Sequence, residues 1–269
     1  MTELVTIDIR DHIADVRLNR PEKMNAINGP MWQAINDAGE RLAEDRGVRA
    51  VVLSGEGRGF CAGLDMASFQ QMQDRDSSKN VSVPLATSGE RPGNMAQRAA
   101  LCWKRLPVPV IGAIHGVAFG AGAQIALGTD IRYAAPDLRF SILEIKWGLI
   151  PDVGITQTLR DLVPIDVAKE LAFTGRILDG EEARALGLVT HVAEDPRSAA
   201  MTLAREIASK SPDAIRSDKR LFESTWHADE RTGLELESKL QTALIGSGNQ
   251  VEAIRANFEK RAPDFKDPE

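Results

Sequence analysis

The sequence predicts an α/β protein, on three observations. Short apolar runs alternate with amphipathic stretches over the first part of the chain, glycines cluster where those runs end, and from Asp195 onward the pattern is helical. The expected division is an α/β core over 1–195 and a helical region over 196–269. No exact internal repeat is visible, but strand-loop-helix units recur.

Each element has its own signal. Val5–Arg10 and Ile13–Leu18 alternate apolar and polar residues about Asp11-His12, which reads as a hairpin. Pro30 opens an amphipathic helix with Met31, Ile35, Ala38 and Leu42 on one face. Ala50–Leu53 is a short buried strand that ends at the loop Ser54–Gly63. The stretch Gln70–Asn94 is polar, rich in Ser, Asp, Gly and Pro, and reads as a mobile surface loop. Val108–Ile114 is the next strand, followed by a glycine-rich turn and a helix containing Gln124 to Leu127. Ile131–Ala134 is again a strand. Gly154–Leu162 and Asp166–Thr174 read as helices, Asp179 caps a third through Leu186, and Val189–Val192 is a short strand. The helical tail is punctuated by Pro196, Pro212 and Gly246-Ser247-Gly248.

Composition narrows the function classes. With 269 residues, 43% of them hydrophobic, the chain can bury a substantial core. Its net charge of −6 is spread along the sequence and no basic stripe occurs, so no nucleic-acid partner is expected. The longest apolar stretch, Leu106 to Leu127, is interrupted by Pro107, Pro109, His115 and glycines, which argues against a membrane span. The start MTELVTIDIRD lacks the charge and apolar core of a secretory signal. Cys61 and Cys102 are too few for a disulfide framework and lack metal-ligand spacing, so no metal is expected. A soluble cytoplasmic enzyme is the resulting expectation.

Two glycine loops carry the chemistry. Gly57-Arg58-Gly59-Phe60-Cys61-Ala62-Gly63-Leu64-Asp65 and His115-Gly116-Val117-Ala118-Phe119-Gly120-Ala121-Gly122-Ala123-Gln124 each follow an apolar strand and precede a helical segment. Small residues let backbone approach a ligand closely, and free N–H groups at a helix start meet developing negative charge; either loop alone is equally a set of tight turns. The second loop falls short of a dinucleotide fingerprint because Ile125 stands at its third glycine position, and the chain opens on a hairpin instead of a βαβ unit. Neither a Walker loop nor a Gly-x-Ser-x-Gly elbow occurs.

Taken in order, the motifs resemble the crotonase (enoyl-CoA hydratase/isomerase) family. The resemblance runs through Asn19-Arg20-Pro21-Glu22-Lys23-Met24-Asn25-Ala26, Gly59–Asp65, the second glycine loop, Ile150-Pro151-Asp152-Val153-Gly154, Phe173-Thr174-Gly175-Arg176, Ala185-Leu186-Gly187-Leu188-Val189 and Phe258-Glu259-Lys260-Arg261. It implies a spiral of strand-strand-helix units with a helical C-terminal trimerisation region, hence a homotrimer or homohexamer. It also implies an acyl-CoA thioester as substrate, with coenzyme A as part of that substrate and no separate cofactor. In this family two backbone amides hold the thioester oxygen as it becomes an enolate, and by motif they are those of Leu64 and Ala121. Preorganised donors in a water-poor site suit that task.

Hydrating members of the family place two carboxylates beside the oxyanion hole. The first of those positions is Gln124 here, a carboxamide that can orient water or substrate but cannot exchange a proton near neutral pH. The second is Glu144, set among Ile142, Leu143 and Ile145, where burial would raise its pKa towards that of a useful base; a solvated surface glutamate is the other reading. Asp152 resembles the aspartate of dienoyl-CoA isomerases and equally suits an N-cap of the following helix. These residues point to double-bond isomerisation, Δ3 to Δ2 or Δ3,5 to Δ2,4, with Glu144 as base and Asp152 as a candidate for returning the proton. Hydration of a 2-enoyl-CoA with water held by Gln124 is the alternative, and a non-catalytic acyl-CoA-binding protein is a third reading.

The resemblance places coenzyme A near Met24, Asn25, Ala26 and the backbone at Ala62, with Phe258 and Lys260 reaching its nucleotide end from a neighbouring subunit. Arg20, Lys23 and Lys260 are the cations available to its phosphates. His115 and Cys61 read as structural, a histidine without a serine or metal partner and a small packed thiol. Met66, Phe69 and Met72 suit an acyl pocket and Met95–Leu106 its closure, and core or interface packing explains the same residues. Trp226, Leu234, Leu236 and Leu240 recur at near-helical spacing in a tail too long for one domain to cover.

Overall fold

The computed structural model describes residues 3–73 and 92–268. Strand β1 (Val5–Arg10) pairs antiparallel with β2 (Ile13–Leu18), Val5 facing Leu18 and Arg10 facing Ile13. Asp11 and His12 close the hairpin with φ of 50° and 65°, both left-handed, as a two-residue turn between right-twisted strands requires. Helix α1 (Gly29–Glu44) starts where Asn28 accepts a hydrogen bond from the Met31 amide, and it buries Met31, Ile35, Ala38 and Leu42 as the spacing predicts. Strand β3 (Ala50–Gly55) lies parallel to β2.

Helices α2 (Met66–Gln73) and α3 (Met95–Arg105) precede β4 (Val110–Ile114), β5 (Val117–Phe119) and α4 (Ala121–Ala126). Then come β6 (Ile131–Ala134), β7 (Arg139–Ser141), α5 (Ile155–Thr158), α6 (Ile165–Thr174), α7 (Gly180–Ala185) and β8 (His191–Val192). The tail is α8 (Pro196–Ala208), α9 (Pro212–Thr225), α10 (Glu230–Leu244) and α11 (Gly248–Glu259). The large sheet has the order β1-β2-β3-β4-β6-β8, and β5 pairs with β7 in a separate parallel ladder. The repeating unit is therefore a strand in the large sheet, a strand in the small one, then a helix, as in β4-β5-α4. This is the expected α/β spiral.

Both faces of the large sheet are covered, and strand alternation assigns the sides. Val51 and Leu53 of β3 join Val16, Leu18, Met31 and Ile35 in the main core. Ala50 and Val52 point the other way, with Ile13, Ile111 and Ala113, onto Ala200, Ala204 and Ala208 of α8. The helical tail thus begins as a layer of the fold.

The structure departs from expectation in specific places. Strand β5 lies inside the stretch read as a glycine-rich turn, and β7 in a stretch given no element, because a strand of three residues shows no period. The stretch taken as a surface loop begins and ends in structure. Gln70 to Gln73 complete α2, and Asn94 is buried as the N-cap of α3 in a reciprocal capping box with Gln97; residues 74–91 lie outside the described residues. Strand β4 starts at Val110, after Pro109, which has no N–H to give a ladder. Ala96, Ala99, Ala100 and Trp103 of α3 are buried, so Met95–Leu106 is core packing.

Candidate active site

The two glycine loops are neighbours in the small ladder. Cys61 bridges Ala118 in parallel, with the Cys61 amide donating to Val117 O (3.0 Å) and the Phe119 amide to Cys61 O (3.0 Å). Leu64 and Ala121 each stand three residues beyond a member of that bridge. Among the described residues neither amide has a hydrogen-bond acceptor. Gly63, at φ 88°, lets the loops touch: a Cβ there would lie 2.6 Å from Phe119 O. Ala121 opens α4, where the first N–H groups have no partner in the helix.

Beneath the first loop lies Asn25, fully buried and left-handed at φ 55°. Its Nδ2 donates to the carbonyls of Glu56 (2.9 Å), Gly59 (2.9 Å) and Phe60 (3.1 Å), and its Oδ1 accepts from the Arg20 amide (2.8 Å). The Asn25 side chain thus holds the loop in place. Met24 O accepts from the Ala62 amide at 2.9 Å, joining the 3-10 turn Pro21–Lys23 to the loop. Arg20 is likewise engaged: its Nη1 binds Ala26 O (2.9 Å) and, in a charge-assisted bond, Asp65 Oδ2. Asp65 in turn accepts from the Ala67 amide at the start of α2. Arg20 is not a free phosphate ligand, because its charge already has a partner.

Glu144 opens a 3-10 turn, Glu144–Trp147, closed by left-handed Gly148. The amide of Gly120 donates to Ser141 O (2.9 Å), so the second loop and the strand leading to Glu144 are tied together. Gly120, at φ 51°, faces the carboxylate: a Cβ there would stand 3.1 Å from Glu144 Oε1. Gln124, fully buried in α4, donates from Nε2 to Glu144 Oε1 (2.6 Å) and accepts from the Val153 amide at Oε1 (2.8 Å). Glu144 Oε2 is buried and has no partner among the described residues. Burial pushes the Glu144 carboxyl up to about 6, aided by the charge of Asp152 and opposed by hydrogen bonds from its own backbone amide and from Gln124.

Asp152 lies close enough for its charge to act on Glu144, and desolvation raises its own carboxyl above the ordinary aspartate range. It is not the cap of the following helix. That position belongs to Gly154, at φ 78°, with no side-chain cap bond. The geometry therefore collects Gln124, Glu144, Asp152 and the amides of Leu64 and Ala121 around the facing ends of two loops.

The enoyl-CoA hydratase/isomerase family profile matches residues 8–268. This chain belongs to the enoyl-CoA hydratase/isomerase family. It is 32% identical to the enoyl-CoA hydratase EchA19 of Mycobacterium tuberculosis, over 97% of this chain and 95% of that protein. It is 33% identical to the mitochondrial Δ(3,5)-Δ(2,4)-dienoyl-CoA isomerase of Mus musculus, over 93% of this chain and 77% of the isomerase. Among solved structures, the enoyl-CoA hydratase of Bacillus anthracis superposes with a TM-score of 0.87 at 30% identity, covering 98% of this chain and 99% of that one.

Within this crotonase chain some residues stand apart from the cluster. Phe258 is 85% exposed near the end of α11, and Lys260 forms the left-handed C-cap of that helix. Among the described residues no hydrogen bond joins either to the turn at 21–26 or to the loops. His115 bonds the Gly57 carbonyl (3.0 Å), and Cys61 packs with its Sγ on Asn25 O (3.2 Å), both structural as read from sequence. Met66 is exposed, whereas Phe69 stacks on Trp147 with ring centroids 4.2 Å apart, tying α2 to the turn that carries Glu144. Sequence reasoning missed that stack, the Val153 amide and the Arg20–Asp65 pair. Only the last had a signal: two opposite charges, each beside a ligand loop. Among the described residues no helix is long and apolar enough to cross a membrane.

Proposed function

We propose that this protein isomerises a double bond of an unsaturated acyl-CoA thioester, Δ3 to Δ2 or Δ3,5 to Δ2,4, with Glu144 as the base. The observation that supports it is the Gln124 carboxamide, engaged at both ends with Val153 and Glu144. Hydration needs a water delivered to C3 and a proton to C2. Gln124 can exchange no proton: with one donor and one acceptor site engaged by Glu144 and Val153, it could still hold a water but could not activate it.

Isomerisation asks for less. Glu144 takes the C2 proton, the electron pair delocalises onto the thioester oxygen, and the amides of Leu64 and Ala121 hold that oxyanion. One missing donor in such a pair costs roughly 3–4 kcal/mol of transition-state stabilisation. The proton then returns at C4 from Glu144; for a dienoyl chain a protonated Asp152 gives its own proton to C6 while Glu144 keeps the one from C2, and exchange with solvent resets the two carboxyls. A carboxyl near pH 6 is suited to both halves of the transfer. Coenzyme A is expected along Met24, Asn25, Ala26 and the Ala62 backbone. Phe258 and Lys260 would contact it only from a neighbouring subunit of a trimer or hexamer. Exposed apolar side chains on the tail, Phe222, Trp226, Leu234 and Ile245, supply a face for such assembly.

The test is a panel of crotonyl-CoA, 3-enoyl-CoA and 3,5-dienoyl-CoA followed by ultraviolet absorbance and mass. Isomer without added water is the expected product. Hydration outrunning isomerisation rejects the reading, and binding without isomer, hydrate or deuterium exchange marks a non-catalytic binder.

A further inference from the structure

We infer that the transferable proton of this site is carried on Oε2 of Glu144, and that Gln124 is a positioning residue whose orientation the Val153 backbone dictates. This rests on the isomerase reading only in taking Glu144 as the group that moves a proton.

The argument is one of donors and acceptors. A glutamine amide can be turned over, exchanging its oxygen and nitrogen, unless a neighbour accepts only one arrangement. The Val153 amide is such a neighbour, since a backbone N–H only donates, and at 2.8 Å it demands the carbonyl oxygen of Gln124. The nitrogen is then left facing Glu144 Oε1 at 2.6 Å. That nitrogen also only donates, so Oε1 must offer it a lone pair whether Glu144 is charged or neutral. A proton on Oε1 would have to turn away from Nε2 and would leave the Gln124 donor on a hydroxyl oxygen, a weaker acceptor than a carbonyl. The proton is therefore favoured on Oε2, the oxygen that is buried and has no partner among the described residues.

The clamp reaches further than one carboxylate. Val153 directly follows Asp152, so the bond that orients Gln124 also anchors the segment carrying the second acid. Asp152 is the charged neighbour whose field raises Glu144. Gln124 thus sets the placement of both carboxyls relative to one reacting chain.

The experiment follows the Glu144 carboxyl itself, by infrared titration of the full-length protein, with the band assigned by difference against Glu144→Gln. In Gln124→Leu the donor to Oε1 is gone, the ionised form loses its bond, and the titration should move up by about one pH unit, tenfold in proton affinity. Gln124→Glu keeps an acceptor for Val153 and so guards against loss of fold. Its second carboxylate oxygen opposes Oε1, and the pair should titrate in two separated steps. Glu144 titrating as in the wild type in either folded variant overturns the inference. If the wild type isomerises no thioester while these shifts occur, the proposed reaction falls and the proton assignment stands.

Discussion

Gly120 and Glu144 are 24 positions apart, yet a single methyl group on the glycine would come within 3.1 Å of the carboxylate Oε1. The same glycine sits at φ 51° and ψ −119°, a conformation that side chains avoid. Gly120→Ala therefore meets two penalties, backbone strain of order 1–3 kcal/mol and displacement of the base from its bond with Gln124. A lower melting temperature is expected together with a fall in kcat, smaller than the roughly hundredfold of a ~1 Å misplacement, since the carboxylate need give way by only a fraction of that. Unchanged kcat in Gly120→Ala would show that the carboxylate tolerates the crowding.

Glu144 also makes a prediction about stability. Its folded pKa, about 6, lies above the ordinary 4.5, so the native state holds a proton more tightly than the unfolded chain. Its contribution is fully favourable below pH 4.5 and is lost as pH rises through 6. The upper bound is about 2 kcal/mol. Glu144→Gln should accordingly be more stable than the wild type at pH 7.5, with the gain vanishing near pH 4, as denaturant titrations at the two pH values will show. Activity goes the other way: deuterium exchange into a bound thioester should be abolished.

The Arg20–Asp65 pair fastens the first glycine loop from below, with both side chains largely shielded, at 16% and 12% exposure. Arg20→Met leaves the Asp65 carboxylate without its cation and should destabilise by about 3 kcal/mol. Combining it with Asp65→Asn should cost less than the two single losses added together, a coupling that a double-mutant cycle measures. The hydrogen bond from the Ala67 amide and the bond to Arg20 hold the Asp65 carboxyl below the usual aspartate range. The pair's contribution is present above that range and lost only as pH falls through the lowered value.

Neither cysteine should react in the native state. Burial pushes both thiols up to about 12, and Cys61 lies within the loop that carries Leu64, its Sγ packed on Asn25 O. A disulfide reagent at pH 8 should therefore label both only on unfolding. Labelling of folded protein at Cys61 would show that the loop opens.

The large sheet was legible because its hairpin strands alternate apolar and polar residues while Ala50–Leu53 is a short apolar run, as a strand buried on both faces must be. Helix starts were legible where a cap announced them, as at Asn28 and Asp179. The small ladder was not, for Val117–Phe119 and Arg139–Ser141 gain their conformation from neighbours and not from a local pattern. At the site, Glu144 could be placed by resemblance, but its partner bonds could not. The Val153 amide that orients Gln124 is a backbone group common to nearly every residue, and nothing in a sequence marks one amide as special. The bonds of Asn25 were equally unmarked: its place in the motif gave no sign that its side chain clasps three carbonyls of the loop.

The Cys61–Ala118 bridge has a consequence for how this site bears substitution. Leu64 and Ala121 each follow that parallel bridge by three residues, so the bridge fixes the register of the two loops that carry their amides. Such a register is written in main-chain geometry, common to all residue types. On the proposed reaction, the charge is held by main chain and the proton is moved by side chains, so substitution at Leu64 or Ala121 should disturb the site less than substitution at Glu144.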